Sequence, residues 1–171
     1  SILVISPEGK VVYDHSLTDI FSTNDMEAYI YAFGLETDPF HLNSVYPAKK
    51  DFGNIEKGDL LLSLRHMSML MIYRPKIKKI IWYKIGPWSN QHSAKFDVDG
   101  NIYLFDNNLI ETHYYRRRES GYINGHNRLL NYNIESRNIF EYEKCLPFED
   151  VRTITGGKIQ KKNNSLYVYY S

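Results

Sequence analysis

The chain has 171 residues, 43% of them hydrophobic and 24% charged, values that suit one globular domain with a core of its own. With 21 basic against 20 acidic residues, the net charge of +1 argues against a dedicated nucleic-acid groove. A single cysteine, Cys145, excludes an internal disulfide framework, and no apolar run is long enough for a membrane-spanning helix. Ser1 carries no signal-peptide pattern and, with no initiating Met, reads as a processed or cloned boundary.

In chain order, Ile2–Ser6 and Lys10–Asp14 are short β-branched runs joined by Pro7-Glu8-Gly9, a hairpin signature. Ser16 and Asp19 suit a helix N-terminus, and Met26, Tyr29, Ile30 and Phe33 keep helical spacing up to Gly34. Residues 16–34 are therefore expected to be the helical part of the chain. From Asp38 the pattern turns to strands, at 40–46, 59–65, 68–74, 78–84, 92–98 and 101–106. Residues 107–126 read as an inserted loop, after which strands are expected at 127–133, 138–143, 152–155, 157–161 and 165–170.

A faint repeat runs through these strands. Lys57-Gly58-Asp59-Leu60 and Asp99-Gly100-Asn101-Ile102 stand 42 residues apart. Each is followed by a strand ending in Tyr (Tyr73, Tyr132) and then by an aromatic strand (Ile80–Tyr83, Ile139–Tyr142). Asn163–Tyr169 looks like the start of a third unit. A period near 42 with four strands per unit suits a propeller blade. The expected fold is all-β, a β-propeller of four-stranded antiparallel blades, with about three blades in one partial domain over 1–171. The chain is expected to be part of a longer protein whose unpaired blade edge associates with another chain, for instance as a homo-oligomer.

Three histidines stand beside polar companions at strand ends: His41 with Asn43, His66 with Arg65, and His92 with Gln91. Such companions bind anions or fix a tautomer. His15, His113 and His126 read as surface or packing residues in loops. No metal site is expected, because the spacings of 25 and 26 between His41, His66 and His92 contain no close pair and no acidic ligand motif accompanies them. Nor is a nucleotide cofactor expected, since Ile154-Thr155-Gly156-Gly157-Lys158 lacks P-loop spacing. Arg116-Arg117-Arg118 reads as a solvated run in the inserted loop. Imidazoles, a guanidinium and amides suit a small oxyanion or a phenolate, and histidine can carry a phosphoryl or sulfuryl group covalently. Trp88 is placed to receive an aromatic ring.

The segments His41-Leu42-Asn43-Ser44-Val45, Asp59–Ser68, Ile80-Ile81-Trp82, Gln91-His92-Ser93-Ala94 and Phe105-Asp106-Asn107, in that order, resemble the arylsulfotransferase family. The likeness runs from about residue 38 to the end and is looser before it. The resemblance implies a six-bladed propeller with its site at the central channel. It also implies ping-pong transfer of a sulfuryl group from a phenolic sulfate ester to a phenol through a sulfo-histidine, without a nucleotide donor, in the periplasm or outside the cell. His41, His92, His66 and Arg65 would be catalytic; Asn43, Gln91, Trp88 and Asn107 would bind substrate. The family's nucleophilic histidine lies in a later blade and is expected beyond Ser171, or absent. The alternatives are a non-catalytic propeller that binds a sulfate, anion or glycan at its axis, and a sulfatase-like hydrolase.

Overall fold

Unbroken apolar runs give this chain two four-stranded antiparallel sheets whose central strands are buried on both faces. The computed structural model describes residues 1–32, 38–114, 117–122, 126–142, 152–163 and 165–170. In chain order, β1 (Ile2–Ile5) and β2 (Val11–His15) form a hairpin, followed by α1 (Leu17–Ser22) and α2 (Glu27–Ala32). The first large sheet runs in the order β3 (Leu42–Pro47), β4 (Leu60–Leu64), β5 (Met69–Arg74), β6 (Lys79–Ile85). The second is built from β7 (His92–Phe96), β8 (Ile102–Asp106), β11 (Arg128–Tyr132) and β12 (Ile139–Glu141). Between β8 and β11, β9 (Leu109–Tyr114) pairs with β10 (Arg117–Tyr122), and a last hairpin joins β13 (Lys158–Lys162) to β14 (Ser165–Tyr169).

Helix α1 starts where Ser16 Oγ accepts the Asp19 amide at 3.0 Å, an N-cap. One continuous helix over 16–34 does not form. Thr23 Oγ1 takes the carbonyl of Asp19 at 2.7 Å, Asn24 Nδ2 takes that of Ile20 at 2.8 Å, and Asp25 sits at φ 58°. Thr23 Oγ1 joins its own N–H on Asp19 O, the Asn24 side chain replaces its own amide on Ile20 O, and the chain turns before it re-enters α2. The helix stop expected at Gly34 and Arg116 lie outside the described residues, as do the side chains of Arg117 and Arg118.

Strand alternation then sorts side chains into three apolar layers. Leu60, Leu62, Leu64, Met69 and Met71 face α1 and β1, meeting Ile2, Ile20 and Phe21. Their neighbours Leu61, Leu70 and Ile72 face the second sheet, meeting Ala94, Ile102, Leu104, Leu130 and Tyr132. On the far side of that sheet, Phe105 and Leu129 pack on Ile159 of β13. Gly157, at φ +96°, lets the chain pass there: a Cβ would lie 2.5 Å from the Phe105 ring.

The 42-residue repeat is structural: Gly58 and Gly100, at φ +96° and +86°, both turn the chain into the second strand of a sheet. Tyr73 and Tyr132 lie on third strands, Trp82 and Phe140 on fourth strands. Three expectations need correction. The insertion over 107–126 is a β-hairpin, not a loop. Residues 152–155 are not a strand, because the amides of Asn107 and Asn127 take the carbonyl of Thr153 (3.1 and 3.0 Å) and Asn127 Oδ1 takes its N–H (2.8 Å), in place of a ladder. His15 has polar company: it ends β2, and its Nδ1 meets Tyr73 Oη at 2.8 Å. No helix among the described residues is long and apolar enough to cross a membrane.

Candidate functional site

Antiparallel pairing brings the expected residues to matching sheet ends. Leu42 pairs with Leu64, so the start of β3 and the end of β4 adjoin, and the Arg65 amide donates to His41 O at 3.0 Å. In the second sheet His92 pairs with Phe105, which sets the start of β7 beside Asn107. Asn43 Nδ2 donates to Gln91 O at 2.7 Å and Ser44 Oγ to Ala94 O at 3.4 Å, laying the starts of β3 and β7 side by side. Register shifts at Leu42/Ser44 and at His92/Lys95 mark bulges there, a device that re-aims side chains.

Each of the three imidazoles is anchored through Nδ1. Asp38-Pro39-Phe40-His41 forms a turn in which Asp38 Oδ1 accepts the His41 amide at 2.9 Å and Oδ2 accepts His41 Nδ1 at 2.7 Å. His66 Nδ1 donates to the carbonyl of the same Asp38 at 2.7 Å, and the two rings lie with centroids 4.5 Å apart. His92 Nδ1 meets Asn107 Oδ1 at 2.7 Å. The amide of Asn107 is fixed by its other side, since Nδ2 faces two carbonyls, Thr153 O at 3.1 Å and Gly156 O at 3.2 Å. Its Oδ1 must therefore accept, and His92 must carry its proton on Nδ1. By the same logic each of the three rings, in its neutral form, holds its lone pair on Nε2. At His92 that nitrogen accepts the Gly156 N–H at 3.3 Å.

One electrostatic neighbourhood contains the whole set. Burial pushes the His92 imidazole below its ordinary 6.5; the Asn107 bond opposes this, and the charges of Arg65 and His41 push it down further. Burial also lowers His66, against the Asp38 carbonyl and with the charges of His41 and Arg65. Burial alone would raise Asp38, but the hydrogen bonds from His41 and the charges of His41 and His66 outweigh it and hold the carboxyl below its ordinary value.

A pH dependence follows. Because His66 and His92 titrate lower when folded, the unfolded chain binds more protons below about pH 6.5, so stability rises with pH through that window and levels off above it. The urea midpoint should fall between about pH 7.5 and about pH 5.5, with a smaller slope in His92→Gln. A midpoint that climbs on acidification contradicts the neutral, half-buried imidazoles.

The remaining expected residues separate by role. Arg65 follows β4 and is only 2% exposed, with Nη2 3.5 Å from Ile154 O. Asn107 follows β8 at the matching place and positions His92. Gln91 is buried and its Nε2 lies 3.0 Å from Ser63 Oγ and 3.1 Å from Met69 O, so it links the two sheets. Asn43 spans the same junction. Trp88 does not await a ligand ring: it is 2% exposed and packs edge-on against Tyr132, at 5.5 Å, in the layer between the sheets.

Three features escaped the sequence reading. Asp38 anchors two histidines, and its Asp-Pro-x-His turn is the signal that marks it. The stretch from Thr153 to Gly157 lies against Asn107 and His92. Asp106 Oδ2 accepts both Nε and Nη2 of Arg128, at 2.8 and 2.6 Å, a largely buried ion pair beneath the loop that delivers His92. Beside His92 opens a cavity of about 700 Å³ lined by Asn43, Tyr46, Lys95, Lys158 and Tyr169. Two lysines, an amide and the His92 imidazole in such a place suit an anionic ligand.

No curated protein and no solved structure matches the chain. The arylsulfotransferase (ASST) family model matches residues 1–170, reaching back over the N-terminal hairpin and helices as well as the sheets. The chain is a member of the arylsulfotransferase family.

Proposed function

We propose that this chain is part of a β-propeller that moves a sulfuryl group from a phenolic sulfate ester to a phenol, with its site at the ends of β3, β4 and β7. The two four-stranded sheets stacked face to face, their first strands side by side and a third pair following, support the propeller reading. The family's usual periplasmic setting is proposed with it.

The observation that carries the chemistry is the shared anchoring of His41, His66 and His92 through Nδ1 within the field of Arg65. A sulfate ester brings three oxygens and one negative charge. Arg65 balances that charge where water is scarce, and the anchored imidazoles offer Nε2 to the sulfuryl group or to a phenol proton. In the first half-reaction the sulfur–oxygen bond of the donor breaks, the phenolate leaves with a proton from an imidazolium, and a histidine nitrogen holds the sulfuryl group. In the second half a phenol gives up its proton and takes that group. His41→Ala and His92→Ala should each cut transfer from para-nitrophenyl sulfate to phenol by about 10²–10³. Undiminished turnover in both variants would remove them from the mechanism.

One observation favours the non-catalytic alternative, in which the site binds a sulfated ligand and leaves it intact. The Gly156 N–H already occupies His92 Nε2, so that nitrogen meets an anion only when Gly156 gives way. Inorganic sulfate binding with no phenol-dependent release of para-nitrophenol would decide for that reading.

A further inference from the structure

The cluster at Asp38, His41 and His66 has a composition and wiring that oxyanion binding does not require. One donor atom from each of the three lies within 4.8 Å of the other two. Spacing along the chain concealed this, since the acidic partner sits three residues before His41 and 28 before His66.

The wiring points the same way. Histidines that ligate a metal commonly give their other ring N–H to a carboxylate or a backbone carbonyl, which fixes the ring and raises its basicity. Here His41 Nδ1 bonds the Asp38 carboxylate and His66 Nδ1 bonds the Asp38 carbonyl, both at 2.7 Å. Both rings therefore offer Nε2. Their centroids are 4.5 Å apart, a separation that suits two imidazoles bound to one ion at about 2.0–2.1 Å. The Asp38 carboxylate, held by the His41 amide and Nδ1, lies behind that ring and serves as the orienting group. His41 and Asp38 are about half exposed, with side-chain exposures of 43% and 51%, so an ion has access and room for water ligands. Two imidazole ligands select a borderline ion such as Zn²⁺ or Co²⁺ over Mg²⁺ or Ca²⁺, which want oxygen alone.

We propose that His41 and His66, oriented by Asp38, form a binding site for one divalent transition-metal ion of the Zn²⁺ class, with water completing its coordination. The site does not depend on sulfuryl transfer, and its test reads binding, not turnover.

The test is a titration of the tag-free chain with Zn²⁺ by calorimetry, and with Co²⁺ by its visible absorption. The wild type should take up one equivalent and give the intense absorption of a low-coordinate Co²⁺ ion. His41→Ala and His66→Ala should each weaken binding by about tenfold or more, and Asp38→Asn by about 10–100-fold, the usual loss for an orienting carboxylate. His126→Gln, elsewhere on the chain, should bind as the wild type does. Far-ultraviolet circular dichroism of each variant separates lost ligands from lost fold, and Zn²⁺ should raise the melting temperature of the wild type but not of His66→Ala. Absence of binding in the folded wild type, or binding unchanged by both histidine substitutions, overturns the proposal.

Discussion

Asp106→Ala should cost about 3–5 kcal/mol of stability, the range for breaking a buried ion pair by removing one partner. The Asp106 side chain is fully buried and accepts four bonds: the Ser89 amide at 2.8 Å, the Asn108 amide at 2.9 Å, and Arg128 through Nε at 2.8 Å and Nη2 at 2.6 Å. Alanine leaves both amides and a largely buried guanidinium without their acceptor. Arg128 Nη2 also holds Pro87 O at 2.8 Å, so the same substitution loosens the loop that carries Gln91 and His92 into β7. The urea midpoint measures the effect, and Asp106→Asn should lose less, since its one remaining oxygen can still accept. A loss below about 1 kcal/mol for Asp106→Ala would mean that the pair is solvated and does not fix the loop.

Arg65→Met should lower kcat/KM for a phenolic sulfate by about 10²–10³ while the fold survives. Arg65 carries the fixed positive charge at the sheet ends, and at 2% exposure that charge is poorly screened. Its field also helps hold His66 and His92 below 6.5. Removing it should let both imidazoles rise, so the acid limb of the pH–rate profile moves to higher pH. Arg65→Lys keeps the charge but loses the planar fork, and should recover the profile more fully than the rate. Turnover within a factor of roughly three of wild type, with an unmoved profile, would show that Arg65 serves the fold alone.

Much of the fold was legible because strands buried on two faces leave a strong mark. Leu60-Leu61-Leu62 and Met69-Leu70-Met71-Ile72 have no polar break, and the Gly-led turns repeat at a fixed offset. The hairpin in the insertion was not legible, since Arg116-Arg117-Arg118 reads as a solvated run, and Arg117–Tyr122 pairs only because β9 lies opposite. Nor was the loss of a strand at 152–155, where the β-branched Thr153, Ile154 and Thr155 argue one way and distant asparagine amides prevail. Among site residues, His41, His66, His92 and Arg65 stood out by chemical type at strand ends. Asp38 did not, because half of its role is played by a backbone carbonyl, which leaves no trace in side-chain identity. Trp88 misled for a plain reason: a large aromatic beside a polar loop fills a core as readily as it greets a ligand.

The central claim is that His41, His66, His92 and Arg65 form one anion site across two sheets. Titrating inorganic sulfate into chain labelled with ¹⁵N at histidine, and following the ring nitrogens, tests it directly. The account predicts that His41, His66 and His92 respond together along one binding curve while His15 and His126 stay still. Separate curves for the three rings, or no response from any of them, would contradict it.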